Sequence, residues 1–301
     1  MPQLFESQAN AYVSVIVASL GRPDGLAQLL EALAEQSMPA DEIILSVTDA
    51  RDLPEGLTER PGLKLRVGPK GLCAQRNNGL AHRDPASELV IFCDDDFVPS
   101  RFYVERLRSF FAAHGDVAGL TGKLLADGIN GPGISFEEAR AMLAAHDALA
   151  PAPLVVKRDF FGLYGCNMAF RLAAIGDLRF DERLPLYGWQ EDIDFSAQVG
   201  RRGKLVSCHG LAGVHCGIKK GRAPGVKLGY SQIINPAYLV RKGTMPPRYA
   251  ARIALHNFVS NHWRALSPEP WADRAGRAYG NWLGLFDVLR GRLTPERMQQ
   301  L

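Results

Sequence analysis

From residue 12 to residue 94 the sequence alternates short apolar runs with stretches of helical periodicity, and this alternation leaves few folds open. Val13-Ser14-Val15-Ile16-Val17 reads as a buried strand that ends in the turn-forming Gly21-Arg22-Pro23-Asp24-Gly25. Leu26, Leu29, Leu30 and Leu33 then recur at helical spacing, with Asp24 as the expected cap. A second strand, Glu42-Ile43-Ile44-Leu45-Ser46-Val47, runs out at Asp49, and Leu63-Lys64-Leu65-Arg66-Val67 supplies a third. A helix is predicted over residues 74–81, entered through Gly68-Pro69-Lys70-Gly71. Strands that alternate with helices need crossover connections, so the expectation is an α/β fold with a mostly parallel central sheet flanked by helices. In such sheets ligands bind beyond the carboxyl ends of the strands.

The next strand carries the strongest chemical signal. Leu89-Val90-Ile91-Phe92-Cys93 is wholly apolar and stops at Asp94-Asp95-Asp96. Three adjacent carboxylates repel one another and are tolerated where a cation offsets them. Carboxylate oxygens suit magnesium or manganese, which complete their shells with water and substrate phosphates. An acidic turn in solvent is the plain alternative. Further on, Trp189-Gln190-Glu191-Asp192 sets an indole beside two carboxylates, a mixture able to stack on a sugar and take a proton from a hydroxyl, or simply to open a helix with favourable acids. His215 precedes a stretch, residues 216–230, that holds Lys219, Lys220, Arg222 and Lys227 among glycines and reads as a mobile basic loop. The histidine could join the carboxylates on a metal while the cations neutralise phosphates.

Charge is distributed in the same sense. The net charge of the 301 residues is only +3, but from residue 200 onward there are 17 Lys+Arg against 4 Asp+Glu, and before it 18 against 28. An acidic part that holds cations joined to a basic part that faces phosphates fits that split. Neither G-x-G-x-x-G nor G-x-x-x-x-G-K-[ST] occurs at the opening turn, so dinucleotide and P-loop readings fail. The longest apolar runs are far below the roughly 18 residues that suggest a membrane span. Five cysteines without C-x-x-C spacing argue against a disulfide framework or structural zinc, and residues 1–10 do not read as a secretory signal. A reducing, cytoplasmic setting is expected.

The ordered series of the opening strand-turn-helix, Asp49, residues 71–77, Asp94-Asp95-Asp96, Gly165-Cys166-Asn167-Met168-Ala169-Phe170-Arg171 and Glu191-Asp192 resembles the family-2 glycosyltransferases over residues 12–215. The resemblance implies the type-A glycosyltransferase fold, a nucleotide-sugar donor, a manganese or magnesium ion and inversion at the anomeric carbon. By position it implies nucleotide contacts from Ala18, Ser19, Arg22, Asp49, Lys70, Arg76, Asp94 and Asp95, with Asp49 and Arg76 at the base and Asp94 at the ribose. It implies metal contacts from Asp96 and His215, with Asp95 a second candidate for metal or sugar. Lys219, Lys220 and Arg222 would form a lid on the diphosphate. Asp192 would be the general base, with Glu191, Trp189 and Asn167 near sugar or acceptor. The family's usual Pro-Thr-Tyr-Asn-Arg-like opening is here Ala18-Ser19-Leu20-Gly21-Arg22, and its Asp-Asp-Gly-Ser is Thr48-Asp49-Ala50-Arg51.

The implied activity is transfer of a sugar, of hexosyltransferase type and from a UDP-linked donor, to a hydroxyl of a saccharide or lipid-linked acceptor in bacterial surface polysaccharide or glycolipid synthesis. No nucleic-acid partner is expected. Residues 1–232 would form the nucleotide-sugar-binding and catalytic domain and residues 233–301 a helical extension. In that extension Arg241, Lys242, Arg248 and Arg252, mixed with Tyr249, Ile253, Leu255, Phe258 and Trp263, suggest either ordinary packing or peripheral contact with anionic lipid on the inner face of a membrane. Two other readings remain open. Asp94-x-Asp96-x-Val98 fits a haloacid-dehalogenase-type phosphatase, and the same fold could serve as a non-catalytic sugar- or nucleotide-binding module.

Overall fold

The computed structural model describes residues 11–151, 153–154, 156–159, 162–219 and 224–301. Strand β1 (Val13–Ala18) leads through helix α1 (Pro23–Ala34) to β2 (Glu42–Val47), then to β3 (Leu63–Val67), helix α2 (Leu72–His82) and β4 (Leu89–Asp94). These four strands pair in parallel in the order β3-β2-β1-β4. The apolar residues of β1 and β4 are buried on both faces, as a covered parallel sheet requires, and each such side chain contributes roughly 1.5–3 kcal/mol. Helix α1 opens on Pro23, whose fixed φ suits the first helical position, so Asp24 lies inside the first turn and does not cap it.

Beyond β4 the sheet becomes mixed. A short β5 (Phe97–Pro99) and helix α3 (Tyr103–Ala113) lead to β6 (Val117–Asp127). An excursion through helix α4 (Phe136–Asp147) and β7 (Val156–Asp159) returns the chain to β8 (Asn167–Arg171). Because β6 ends and β8 begins at the same end of the sheet, β8 must run backwards, and it lies antiparallel between β4 and β6. The expectation of a mostly parallel sheet therefore holds for the first half only. After the short helix α5 (Leu172–Ile175), helix α6 (Glu191–Val199) precedes β9 (Lys204–His215), which pairs in parallel with β6 and antiparallel with β5 and β7. Asp94, Asp127 and His215, the last residues of β4, β6 and β9, thus lie at one end of the sheet.

One face of the sheet packs Val13, Val15 and Ile91 against Leu26, Leu29 and Phe110 of α1 and α3. The other packs Ile16, Phe92 and Phe170 against Leu80, Phe195 and the C-terminal helices. Those helices are α7 (Gly225–Lys242), α8 (Pro247–Arg264) and α9 (Arg274–Leu289). Helix α7 runs across the expected boundary at residue 232, and its Tyr238 and Leu239 join the same core as Phe92.

Residues 225–230 are helical rather than part of a loop, and their glycines have a packing role. A Cβ on Gly229 would stand 2.0 Å from the Arg277 carbonyl oxygen, and one on Gly280 would stand 2.1 Å from that of Val226. Helices α7 and α9 therefore meet backbone to backbone, which only glycine permits here. All five cysteines are buried and unbridged. No helix among the described residues is long and apolar enough to cross a membrane.

Candidate active site

Two cavities open at the carboxyl end of the sheet. The first, about 310 Å³, is walled by the end of β1 and its turn (Ala18, Ser19, Leu20, Arg22), by Lys70, Gly71, Leu72 and Gln75 at the start of α2, by Asp94 and Asp95, and by Leu186, Tyr187, Pro224 and Lys227. Gln75 fastens this wall, since its amide Nε2 donates to the carbonyls of Ser19 at 2.8 Å and Ser46 at 2.9 Å. The second, about 250 Å³, shares Tyr187 with the first and is otherwise lined by Trp189, by Ile129 and Asn130, and by residues of α7, α8 and α9 with Trp271.

The three aspartates divide their work. Asp94, Asp96 and His215 each offer a ligand atom, and these atoms lie within 4.8 Å of one another. His215 Nε2 stands 3.3 Å from Asp96 Oδ1, while its Nδ1 faces Asp127 Oδ1 at 2.9 Å. A carboxylate behind the histidine is the usual means of orienting a metal-bound imidazole. Tyr164 in turn donates to Asp127 Oδ2 at 2.9 Å. Burial alone would lower the His215 pKa, but the hydrogen bonds with Asp127 and Asp96 raise it to about 10, so the cluster draws positive charge. Two carboxylate oxygens and an imidazole suit manganese or magnesium. Asp95 faces elsewhere: it accepts from Ser19 Oγ at 2.7 Å and Arg22 Nη1 at 2.8 Å. Burial lifts its pKa to about 6, with Asp96 adding repulsion and Arg22 opposing both.

A second charged group lies on the other side of Asp94. Arg76, 1% exposed, donates to Asp94 Oδ1 and to the Gly165 carbonyl, each at 2.9 Å, and to Glu191. Its guanidinium also lies over the rings of Phe92 and Phe180. Asp192 accepts from the Gly165 N–H at 2.9 Å and the Ile193 N–H at 2.8 Å. Burial raises its pKa above the ordinary carboxylate value, and those two N–H groups pull the other way. The loop before it holds two non-glycine residues in left-handed backbone, Leu186 at φ 56° and Gln190 at φ 75°. Such residues cost on the order of 1–3 kcal/mol each and persist where the surroundings dictate them. Here the loop is tied to α2 by the Leu72 N–H donating to the Leu186 carbonyl at 2.8 Å.

The model of Glycosyl transferase family 2 matches residues 14–135, which span the first four strands and all three aspartates. Residues 14–135 are family-2 glycosyltransferase sequence. Among solved structures the chain is similar to Staphylococcus aureus TarS 1-349 in complex with UDP-GlcNAc, with 16% identity over 96% of this chain and 83% of that one and a TM-score of 0.54. It is also similar to the mannosyltransferase PcManGT of Pyrobaculum calidifontis in complex with GDP-Man and Mn2+, with 19% identity over 95% of this chain and 84% of that one and a TM-score of 0.52. Against a longer TarS structure, at 16% identity and a TM-score of 0.51, 85% of this chain covers 44% of the other. These likenesses establish the type-A glycosyltransferase fold. A search of curated protein sequences returned no match.

On this glycosyltransferase scaffold the residues expected from the sequence separate into groups. Ala18, Ser19, Arg22, Lys70, Asp94 and Asp95 line the first cavity. Asp96 and His215 meet as expected, and Asp94, expected at a ribose, joins them. Asp49 and Arg76, both expected at a base, are outside that wall. Asp49 caps a short turn and is held by Arg51 at 3.0 Å, and Arg76 is enclosed as described. Asn167 is fully buried at the start of β8, where Thr121 donates to its Oδ1 at 2.5 Å. Trp189 lines the second cavity, and Lys219 donates to the carbonyls of Gly128 and Ile129, each at 2.9 Å. Lys220 and Arg222 lie outside the described residues.

Sequence reasoning missed Asp127, Tyr164, Gln75 and Tyr187. Asp127 had a usable signal, a carboxylate ending a strand as Asp94 does, whereas Tyr187 enters two walls only through a loop's shape. The basic residues of the extension are also reassigned. Lys242 pairs with Asp181 and Asp194 at 2.7 Å, Arg241 donates to the Leu293 carbonyl, and Tyr249 and Ile253 pack on the core.

Proposed function

We propose that the protein is an inverting glycosyltransferase that moves a sugar from a nucleoside diphosphate sugar, UDP-linked, to a hydroxyl of a saccharide or lipid-linked acceptor in bacterial surface polysaccharide or glycolipid synthesis. The observation that carries this reading is the double membership of Asp94, which lines the first cavity and belongs to the Asp94–Asp96–His215 cluster. A nucleotide in that cavity would bring its phosphates to a cation-binding group.

Manganese or magnesium held by Asp94, Asp96 and His215 would offset the charge of the leaving diphosphate. Asp192 takes the proton from the acceptor hydroxyl. The acceptor oxygen bonds to the anomeric carbon as the bond from that carbon to the diphosphate breaks, and one displacement inverts the centre. Glu191 positions the base by accepting from the Asp192 backbone N–H, and Trp189 gives an apolar face to a sugar. Lys227 at the cavity wall contributes positive charge. TarS and PcManGT, in the complexes above, hold a UDP-sugar and a GDP-sugar, and this supports the donor class.

Peripheral contact with an anionic membrane surface is the second part of the proposal. It is supported by Leu255, Val259 and Trp263 on α8 and Tyr279, Trp282 and Phe286 on α9, all exposed, with exposed Arg252 on α8 and exposed Arg290 just past the end of α9. Sedimentation with vesicles containing anionic lipid, but not with neutral vesicles, is the expected result for this face.

The deciding experiment is a thermal-shift and calorimetric series of nucleoside diphosphates and their sugars with and without Mn2+. A ligand that binds the native state raises the melting temperature, so one nucleotide is expected to do so, more strongly with Mn2+. No response from any nucleotide on folded protein ends the transferase reading. A phosphoaspartate trapped with a fluoride analogue would instead favour the phosphatase.

A further inference from the structure

The second cavity has side chains that donor binding does not use. Its wall carries three guanidinium groups, Arg264, Arg274 and Arg277, and among the described residues no carboxylate. One carboxylate stands behind them. Glu269 accepts from Nε and Nη2 of Arg274, each at 2.9 Å, and from Arg264 Nη1 at 2.6 Å, and Arg274 Nη1 donates to Asn261 Oδ1 at 3.1 Å, so the fork of Arg274 is engaged within the wall. The hydrogen bonds from Arg274 above all hold its pKa at about 2, so it is charged at any working pH. Three guanidiniums with one carboxylate leave the wall positive. Arginine's planar fork matches carboxylate and phosphate oxygens in pairs.

The rest of the wall suits a sugar. Trp189, Tyr187 and Trp271 bring three aromatic faces to a space of about 250 Å³. Such faces cover the C–H side of a saccharide ring while its hydroxyls point away. Trp189 is also fixed in place, since its carbonyl accepts from Asn235 Nδ2 at 2.8 Å. It stands three residues before Asp192, and Tyr187 joins this cavity to the first.

We propose that the second cavity holds the acceptor, and that the acceptor is a saccharide bearing a phosphate or carboxylate group recognised by Arg264 and Arg277, with Arg274 adding positive charge behind them. This rests on the transferase reading and adds the acceptor's chemical class. The saccharide stacks on Trp189 with a hydroxyl toward the first cavity, and its anionic group reaches the arginines contributed by α8 and α9. The acidic group thus selects the acceptor without entering the chemistry.

The test uses the full chain saturated with UDP and Mn2+, titrated by calorimetry with glucose, glucose 6-phosphate, glucuronate and inorganic phosphate. At least one charged sugar is expected to bind about ten-fold more tightly than glucose, the size of one hydrogen bond to a charged group. Arg277→Gln and Arg264→Gln should each erase that preference and leave the affinity for UDP within two-fold. Trp189→Ala should weaken the charged sugar but not inorganic phosphate. Equal affinity for glucose and both charged sugars, displacement of UDP by the charged sugar, or inorganic phosphate binding as tightly as the sugar phosphate overturns the proposal. Failure of UDP itself to bind strikes the transferase reading instead, and the same titrations without UDP then report on the second cavity alone.

Discussion

The two cavities meet at one ring, Tyr187, yet they are made of different material. The first takes its carboxylates from strand ends and the turns that leave them, with helix and loop residues closing the rest of its wall: Ala18 ends β1 and Asp94 ends β4, paired with each other in the sheet register. The second is assembled mostly from side chains on helices that pack against that sheet. A strand end in mid-sheet is held by hydrogen bonds on both flanks, so the carboxylates it carries stay where the ladder puts them. A helix face can exchange one long side chain for another without disturbing its backbone bonds. On the proposed reading, donor chemistry is fixed by sheet register, whereas acceptor preference depends on replaceable side chains.

The sharpest way to break this contrast is at the base. Asp192→Asn is expected to reduce transfer by roughly 10²–10⁴-fold while leaving nucleotide-sugar affinity unchanged. Because burial holds the Asp192 pKa above the ordinary value, the rate should fall as pH drops through that raised pKa, and the acid limb should vanish in the variant. Steady-state rates across pH measure both. An unchanged limb in Asp192→Asn would sink the assignment.

A smaller effect is expected from Arg76→Met. Removing one partner of a buried ion cluster costs about 3–5 kcal/mol, so denaturant unfolding should shift by that amount and donor binding should weaken with it. Glu191 and Asp94 would then face each other without the cation between them. Further down the scale, Asp127→Asn should weaken Mn2+ about 10–100-fold through the orientation of His215. Nucleoside binding without metal should be untouched. The smallest change probes the packing of α7 on α9. Gly280→Ala must displace the Val226 carbonyl, and overpacking of this kind costs about 1–3 kcal/mol. Its Tm should fall while UDP affinity is retained. If both cavities lose affinity together, the separation between sheet-built and helix-built sites is wrong.

What the sequence reveals follows the same division. The strands of the first half were legible because a sheet buried on both faces demands continuous apolar runs, and β4 ending in three aspartates announced a site. The register that brings Asp94 beside His215 was not legible from spacing, since 121 positions separate them in the chain. Arg76, expected at a base, gave no sign of its burial because helix α2 has little apolar periodicity to show which side is covered. Its burial follows from two carboxylates that come from β4 and α6. The reversal of β8 depends on an excursion whose ends meet in space. Gly225 and Gly229 read as loop formers, and only the approach of α9 reveals them as the residues that let two helices touch. The aromatic and basic residues of the tail were visible, but which of them turn outward was settled by the core they pack on.

One ring in two walls has a thermodynamic consequence. Tyr187 sits on a loop between left-handed Leu186 and Gln190, and its ring, 46% exposed, has room to turn toward either cavity. Whichever ligand arrives first sets the rotamer that the second one meets. The two affinities are then linked, and by reciprocity the factor by which donor alters acceptor binding equals the factor by which acceptor alters donor binding. A substrate pair joined through a tyrosine in this way favours a preferred order of addition, written in the loop rather than in either cavity.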